Sequence, residues 1–389
     1  MLNRRLLRVK VMQALYALCQ SRESNFELGL EEIASSFLPD LNSMEVQNHE
    51  LLKEKKEEAS VLYEKSFYEK IEYTTQSRDV IAAVENAVSR YKTHVDKDIK
   101  HFRKLMLEDV DSINYKYLEL LQFLIALADF VEIDEEEKKG KLVKTLPTPA
   151  KELKLQKNAV VLALKANKNF EQERIKKNIN LEAQFVRNTF KEYLKPDEEY
   201  KKYQNLNEST VQEDRDLCLY ILKNIFLKKE AVVIHFESED LNWTENSSIV
   251  KSMAVKTIKS LVEGDSSEDM LLDISSNWEE DRAYFLELYD QTVKMDEKLE
   301  VLITERVKNW EVDRVALMDK IIIKLATAEM ITSPGIPVKV SINEFIEISK
   351  IYSTPKSKVF VNGILDSIAA DLTKDGTIRK SGRGLIDNK

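Results

Sequence analysis

The sequence predicts an all-α protein, and three observations carry that expectation. Gly 8 and Pro 7 in 389 residues are both far below average usage. Sheets need turn residues at short intervals, so this scarcity argues for few turns and long helices. Charged residues make up 33% of the chain, above the usual quarter, as suits long solvated helices. Residues 41–139 contain neither glycine nor proline, an uninterrupted stretch that favours long antiparallel helices.

The elements follow in order. Residues 3–21 read as one helix, with Leu7, Val11, Ala14, Leu15 and Leu18 recurring at spacings of three and four. Arg4 and Arg8 are four apart, share a face and have Arg5 beside them, so one side can pack while another carries positive charge. The helical pattern continues to residue 139. Its most apolar run, residues 117–131, holds Glu119, Gln122 and Asp129 and falls short of the roughly 20 apolar residues that span a bilayer, so it reads as a buried helix. Residues 140–152, with Pro147 and Pro149, read as an exposed linker.

Helices resume after the linker, with Pro196 between two of them, and a further series starts near Thr210. "KEAVVIHFE" has the β-branched content of a strand, but an isolated strand is a poor fit among helices, and a helix is expected. "DRAYFLELYDQTVKMDEKLEVLITERVKNW" reads as a long amphipathic helix with one break, and "VDRVALMDKIIIKLATAEMI" is apolar enough to be central. The polar, basic residues 374–389 read as a flexible tail.

Composition excludes several functions. Cys19 and Cys218 lie far apart in apolar-rich segments, with no disulfide spacing, which points to a reducing cytoplasm. The basic-then-apolar start lacks a small-residue cleavage site and reads as an amphipathic helix, not a signal peptide. A net charge of −9 argues against a generally basic nucleic-acid coat but allows a local patch, and the acid-free start with Arg4, Arg5, Arg8, Lys10 and Arg22 is one. No glycine-rich phosphate loop occurs, and His49, His94, His101 and His235 form no metal-binding motif. No serine elbow or cysteine–histidine pairing stands out either, so no enzyme, cofactor or metal is expected.

Residues 337–372 carry the strongest local signals. Ser341 with Glu344 has the spacing of a capping box. Thr354 is placed to cap the next helix, with Pro355 as its first residue. Val361, Leu365, Ile368 and Leu372 then form a core stripe. Lys356 and Lys358 fall where the helix dipole disfavours cations, so they are either tolerated on the surface or kept for an anionic ligand. Phe360 is either core or an exposed platform for a base. Asn362 and Gly363 suit close helix packing.

Several motifs here belong together. Trp310, Asp313 with Arg314, residues 324–329, "PVKVSINE" and "FVNGILD", with "RRLLRVKVMQALY" at the start, resemble the NusB transcription antitermination family in the right order. The resemblance covers residues 1–24 and about 280–373. It implies a NusB-like RNA-binding helical domain made of 1–24 together with 211–373, and a large helical insertion of unknown role at 25–210. It also implies a non-enzymatic factor that binds boxA-type single-stranded RNA with a small-subunit ribosomal protein, NusE, and joins the RNA polymerase elongation complex. The RNA-binding positions carried over are Arg4, Arg5, Arg8, Lys356, Lys358, Phe360 and Asn362, which must then fold side by side.

The chain departs from the family in the loop "STPKSKV", where acidic residues and a histidine are usual, and at Leu6 and Leu7, where many members have further arginine or alanine. A helical protein-interaction adaptor without RNA binding is the alternative. A ribosomal RNA methyltransferase module is disfavoured by the missing glycine-rich loop.

Overall fold

The computed structural model describes residues 2–39, 42, 46–68, 77–141, 153–260, 271–307 and 315–388. Trp310, Asp313, Arg314 and nearly all of the expected linker at 140–152 lie outside them. Fifteen α-helices and no strand occur among the described residues. They are α1 (Arg4–Ser36), α2 (His49–Lys65), α3 (Arg78–Lys141), α4 (Ala159–Ala166), α5 (Lys168–Lys176), α6 (Ala183–Thr189), α7 (Glu198–Gln204), α8 (Val211–Tyr220), α9 (Glu230–Glu239), α10 (Trp243–Ser260), α11 (Trp278–Lys294), α12 (Asp296–Arg306), α13 (Leu317–Thr332), α14 (Val338–Tyr352) and α15 (Ser357–Lys374). The all-α expectation holds, including a helix where "KEAVVIHFE" allowed a strand and one break, at Met295, between α11 and α12.

Local sequence sets many of these boundaries. Asn3 accepts a hydrogen bond from the Leu6 N–H at 2.8 Å and starts α1. Asn48, Asn158, Asn167 and Asp197 cap α2, α4, α5 and α7 in the same way. Thr210 and Glu213 form a reciprocal capping box at α8. Two segments, Phe190–Leu194 and Ile221–Phe226, continue α6 and α8 with wider π-type turns.

Contacts divide the chain into two compact units. One is Met1–Leu6 with Glu108–Asp281 and the other is Leu7–Leu107 with Arg282–Lys389, so α1 and α3 are each shared between them. In the first unit, the apolar run of α3 is buried as expected, and Phe123 stacks on Phe226 at 4.2 Å and on Phe185 at 4.8 Å. A buried polar knot accompanies this core. Asp214 accepts from the Tyr203 hydroxyl at 2.6 Å and from the Ala159 N–H at 2.7 Å, while Asn158 donates to the Asp214 carbonyl at 2.9 Å.

In the second unit, α13 is central, with Ile321, Ile322, Ile323, Leu325 and Met330 all buried. It packs against α12, α14 and α15. Leu7, Val11, Leu15 and Leu18 bury the expected stripe of α1. A second cluster joins the far part of α1 to α2 and α3 through Ile33, Phe37, Leu62, Tyr63, Val80 and Val84.

Four local expectations are corrected. The helix α14 begins at Val338, so Ser341 lies a turn inside it, fully buried, and its hydroxyl caps nothing. Pro337 supplies the extended residue before the helix, one turn earlier than the capping-box spacing suggested. The helix α15 begins at Ser357, not Pro355, because residues 354–357 form a separate turn closed by the Ser357 N–H on the Thr354 carbonyl at 2.9 Å. Gly363 is not a close-packing glycine, since a β-carbon there would meet nothing within 4 Å. The segment after α15, expected as a flexible tail, folds back on the α13–α14 connection.

Candidate nucleic-acid interface

The turn that launches α15 is held from below. Ser357 is 2% exposed and donates to Asp319 Oδ2 at 2.7 Å, which ties the helix start to the first turn of α13. The Ser353 and Thr354 hydroxyls sit 2.9 and 2.8 Å from the same Ser357 oxygen. With Ser357, Val361, Leu365 and Ile368 fixed inward, helical geometry turns the intervening positions outward. Lys356 and Lys358 are exposed, Val359 is 71% exposed, and Phe360 and Asn362 are half-buried. Asn362 donates to Asp366 one turn on, at 2.9 Å.

The sequence therefore brings Lys356, Lys358, Phe360 and Asn362 together on the first two turns of one helix. Neither lysine has a carboxylate partner among the described residues. Their charge adds to the positive end of the helix dipole, so the site is a local positive field in a chain of net charge −9.

The arginines of α1 are placed differently from one another. Arg8 points inward and is 3% exposed. Its Nε and Nη2 donate to Glu329 at 2.8 and 2.5 Å, and Nη1 lies 3.6 Å from Glu344. Tyr284 donates its hydroxyl to the same Glu329 carboxylate at 3.1 Å, and the guanidinium lies over the Tyr284 and Phe345 rings. Burial alone would lower the Arg8 pKa, but the hydrogen bonds and charge of Glu329 outweigh it and hold the guanidinium above its ordinary value. Arg8 is thus a structural tie joining α1 to α11, α13 and α14, and it presents no charge to solvent. Glu344 contributes to this tie, not to a helix cap.

Arg4 and Arg5 belong to the first unit, whereas Arg8 and residues 356–362 belong to the second. Arg4 pairs with Glu280, with Asp281 at 3.8 Å, and is half-exposed. Arg5 is exposed.

Sequence reasoning missed the partners of Arg8. Glu329 stands alone among "LATAEM", and an acid inside so apolar a helix is the signal that a buried cation faces it. Elsewhere among the described residues, no group of three His, Cys, Asp or Glu side chains is arranged to hold a metal ion. No helix among them is long and apolar enough to cross a membrane.

Comparison with known proteins identifies the lineage. The NusB family model matches residues 248–370, which include all of α11–α14 and most of α15. A Bacillus pumilus transcription antitermination protein NusB is 38% identical over 94 residues, which cover 72% of that protein and 24% of this chain. The chain belongs to the NusB family. The NusB of Salinibacter ruber is 43% identical over 99 residues, 25% of this chain and 62% of its own length. That of Chloroherpeton thalassium is 39% identical over 120 residues, 31% of this chain and 54% of its own length. The chain thus spans little more than half the length of these two NusB relatives, and most of its own length lies outside the match. No solved structure matches significantly.

Proposed function

We propose that this protein is a transcription antitermination factor that binds single-stranded RNA of the boxA type, with a small-subunit ribosomal protein of the NusE kind, and acts on the RNA polymerase elongation complex. The observation that carries this reading is the set at the start of α15, namely exposed Lys356 and Lys358 with half-buried Phe360 and Asn362. It lies within the stretch matched to NusB, whose named relatives are transcription antitermination proteins. The chemistry suits an unpaired RNA strand. Lysines at the positive end of the helix dipole contact phosphate, a half-exposed ring stacks on a base, and a side-chain amide reads a base edge. Arg4 and Arg5, the other cations that the resemblance carries over, lie at the start of α1 in the first unit. Arg8 acts at one remove by fixing that helix against Glu329.

The test is titration of boxA-type and scrambled RNA across a range of salt. Affinity for the boxA-type RNA is expected to be higher and to fall steeply with salt, as phosphate contacts release counterions. Equally weak, salt-insensitive binding of both RNAs would overturn the reading. Capture of the ribosomal protein without any RNA affinity would favour a protein-interaction adaptor.

A further inference from the structure

The segment after α15 is built to be held in place. Gly376 adopts φ +75° and closes the helix, with the Ile378 N–H returning to the Leu372 carbonyl at 2.8 Å. Ile378 is then buried at 6% exposure. Lys380 Nζ donates to the Ser333 carbonyl at 2.9 Å, and the Ser381 N–H donates to the Pro334 carbonyl at 3.0 Å. Gly382 adopts φ +52°. Gly384 passes so close to the Pro334 carbonyl that a β-carbon would collide with it. Three of the chain's eight glycines thus serve this short segment.

The docked segment displays positive charge. Lys374, Arg379 and Arg383 are exposed and have no carboxylate partner among the described residues. Asp375 spends its carboxylate on the Thr377 N–H at 2.8 Å. Arg379 donates its Nε to the Gly376 carbonyl at 3.0 Å, which steers the guanidinium while leaving its Nη groups for another acceptor.

The location relative to the RNA site follows from helix direction. Asp319, near the start of α13, bonds Ser357 at the start of α15, and Ser333 and Pro334, just past the end of α13, bond Lys380 and Ser381, past the end of α15. The two helices therefore run parallel. Unpartnered cations stand at both ends of α15, one helix length of roughly 27 Å apart.

We infer that Lys374, Arg379 and Arg383 form a second phosphate-contacting surface, which engages RNA flanking the segment bound at the start of α15. The inference rests on the proposed RNA-binding function and extends it to a longer track. Exposed guanidinium and ammonium groups without carboxylates suit a phosphate backbone. In a protein of net charge −9, fixing cations by a dedicated fold-back overcomes the general repulsion of a polyanion.

The experiment compares a short boxA-type oligoribonucleotide with the same sequence extended on both sides by uridines, each titrated over a range of salt. The full chain and its Arg379→Glu/Arg383→Glu variant are used. The wild-type chain is expected to show a steeper salt dependence on the extended RNA. The variant should lose that excess, a drop in slope of roughly 1.4 for two phosphate contacts on a single strand, while binding the short RNA as the wild type does. An Arg379→Lys/Arg383→Lys variant should retain the steep slope.

An unchanged slope on extended RNA in the glutamate variant would overturn this inference alone. Absence of salt-dependent binding of either RNA to the wild-type chain would overturn the proposed function and this inference with it. Tail-dependent binding of a poly-glutamate peptide, with RNA binding unaffected, would assign the surface to an acidic protein segment and overturn it as well.

Discussion

Two charged residues show how burial decides what a side chain does. Arg8 and Glu329 are 3% and 0% exposed, so removing either leaves a charge with no water to replace its partner. Arg8→Ala is expected to cost about 3–5 kcal/mol in denaturant unfolding, and an Arg8→Met/Glu329→Met double variant should recover much of it. If the double variant folds, its RNA affinity should stay near that of the wild type, because Arg8 positions its helix and touches no solvent. In the first unit, the Lys116 ammonium lies 2.7 Å from Glu119 and 2.6 Å from Glu239. Burial pushes the Glu119 carboxyl up to about 6, against 4.5 in the unfolded chain, even though Lys116 opposes it. A carboxyl raised on folding contributes stability that is present below pH 4.5 and lost as pH rises through about 6. That contribution amounts to about 2 kcal/mol. Glu119→Gln should flatten this part of the stability profile, as read by urea unfolding on either side of the window.

At the scale of the element, two mid-helix glycines give opposite expectations. A β-carbon at Gly29 in α1 would overlap the hydroxyl of Tyr63, which is fully buried and packs on Phe26 at 5.2 Å. Gly29→Ala should therefore lower the melting temperature despite its better helix propensity. Gly363 faces open space, and Gly363→Ala should raise stability by about 1 kcal/mol. The reverse order in thermal unfolding would contradict both placements. Neither outcome was readable from sequence, because a glycine inside a helical pattern gives no sign of what lies opposite it. The helices themselves were legible, since their apolar periodicity and low glycine content are local properties. Helix starts were less so. The serine and glutamate at 341 and 344 have capping spacing, but the Pro337 backbone begins α14 a turn earlier and buries the serine.

At the scale of the molecule, the candidate site was half legible. Lys356, Lys358, Phe360 and Asn362 are neighbours in sequence, so the first two turns of one helix carry them all wherever it packs. The arginines of α1 share a face only as a set, and the spacing cannot say which of them meets a carboxylate hundreds of residues away. Glu329 takes Arg8 and Glu280 takes Arg4. The most direct test of the RNA site is photo-crosslinking of boxA-type RNA carrying a thiouridine, followed by mass spectrometry of the peptides. The expected result is a cross-link within α15 at or beside Phe360, lost in a Lys356→Glu/Lys358→Glu variant. Cross-links confined to residues 78–260, with α15 untouched, would contradict the central claim.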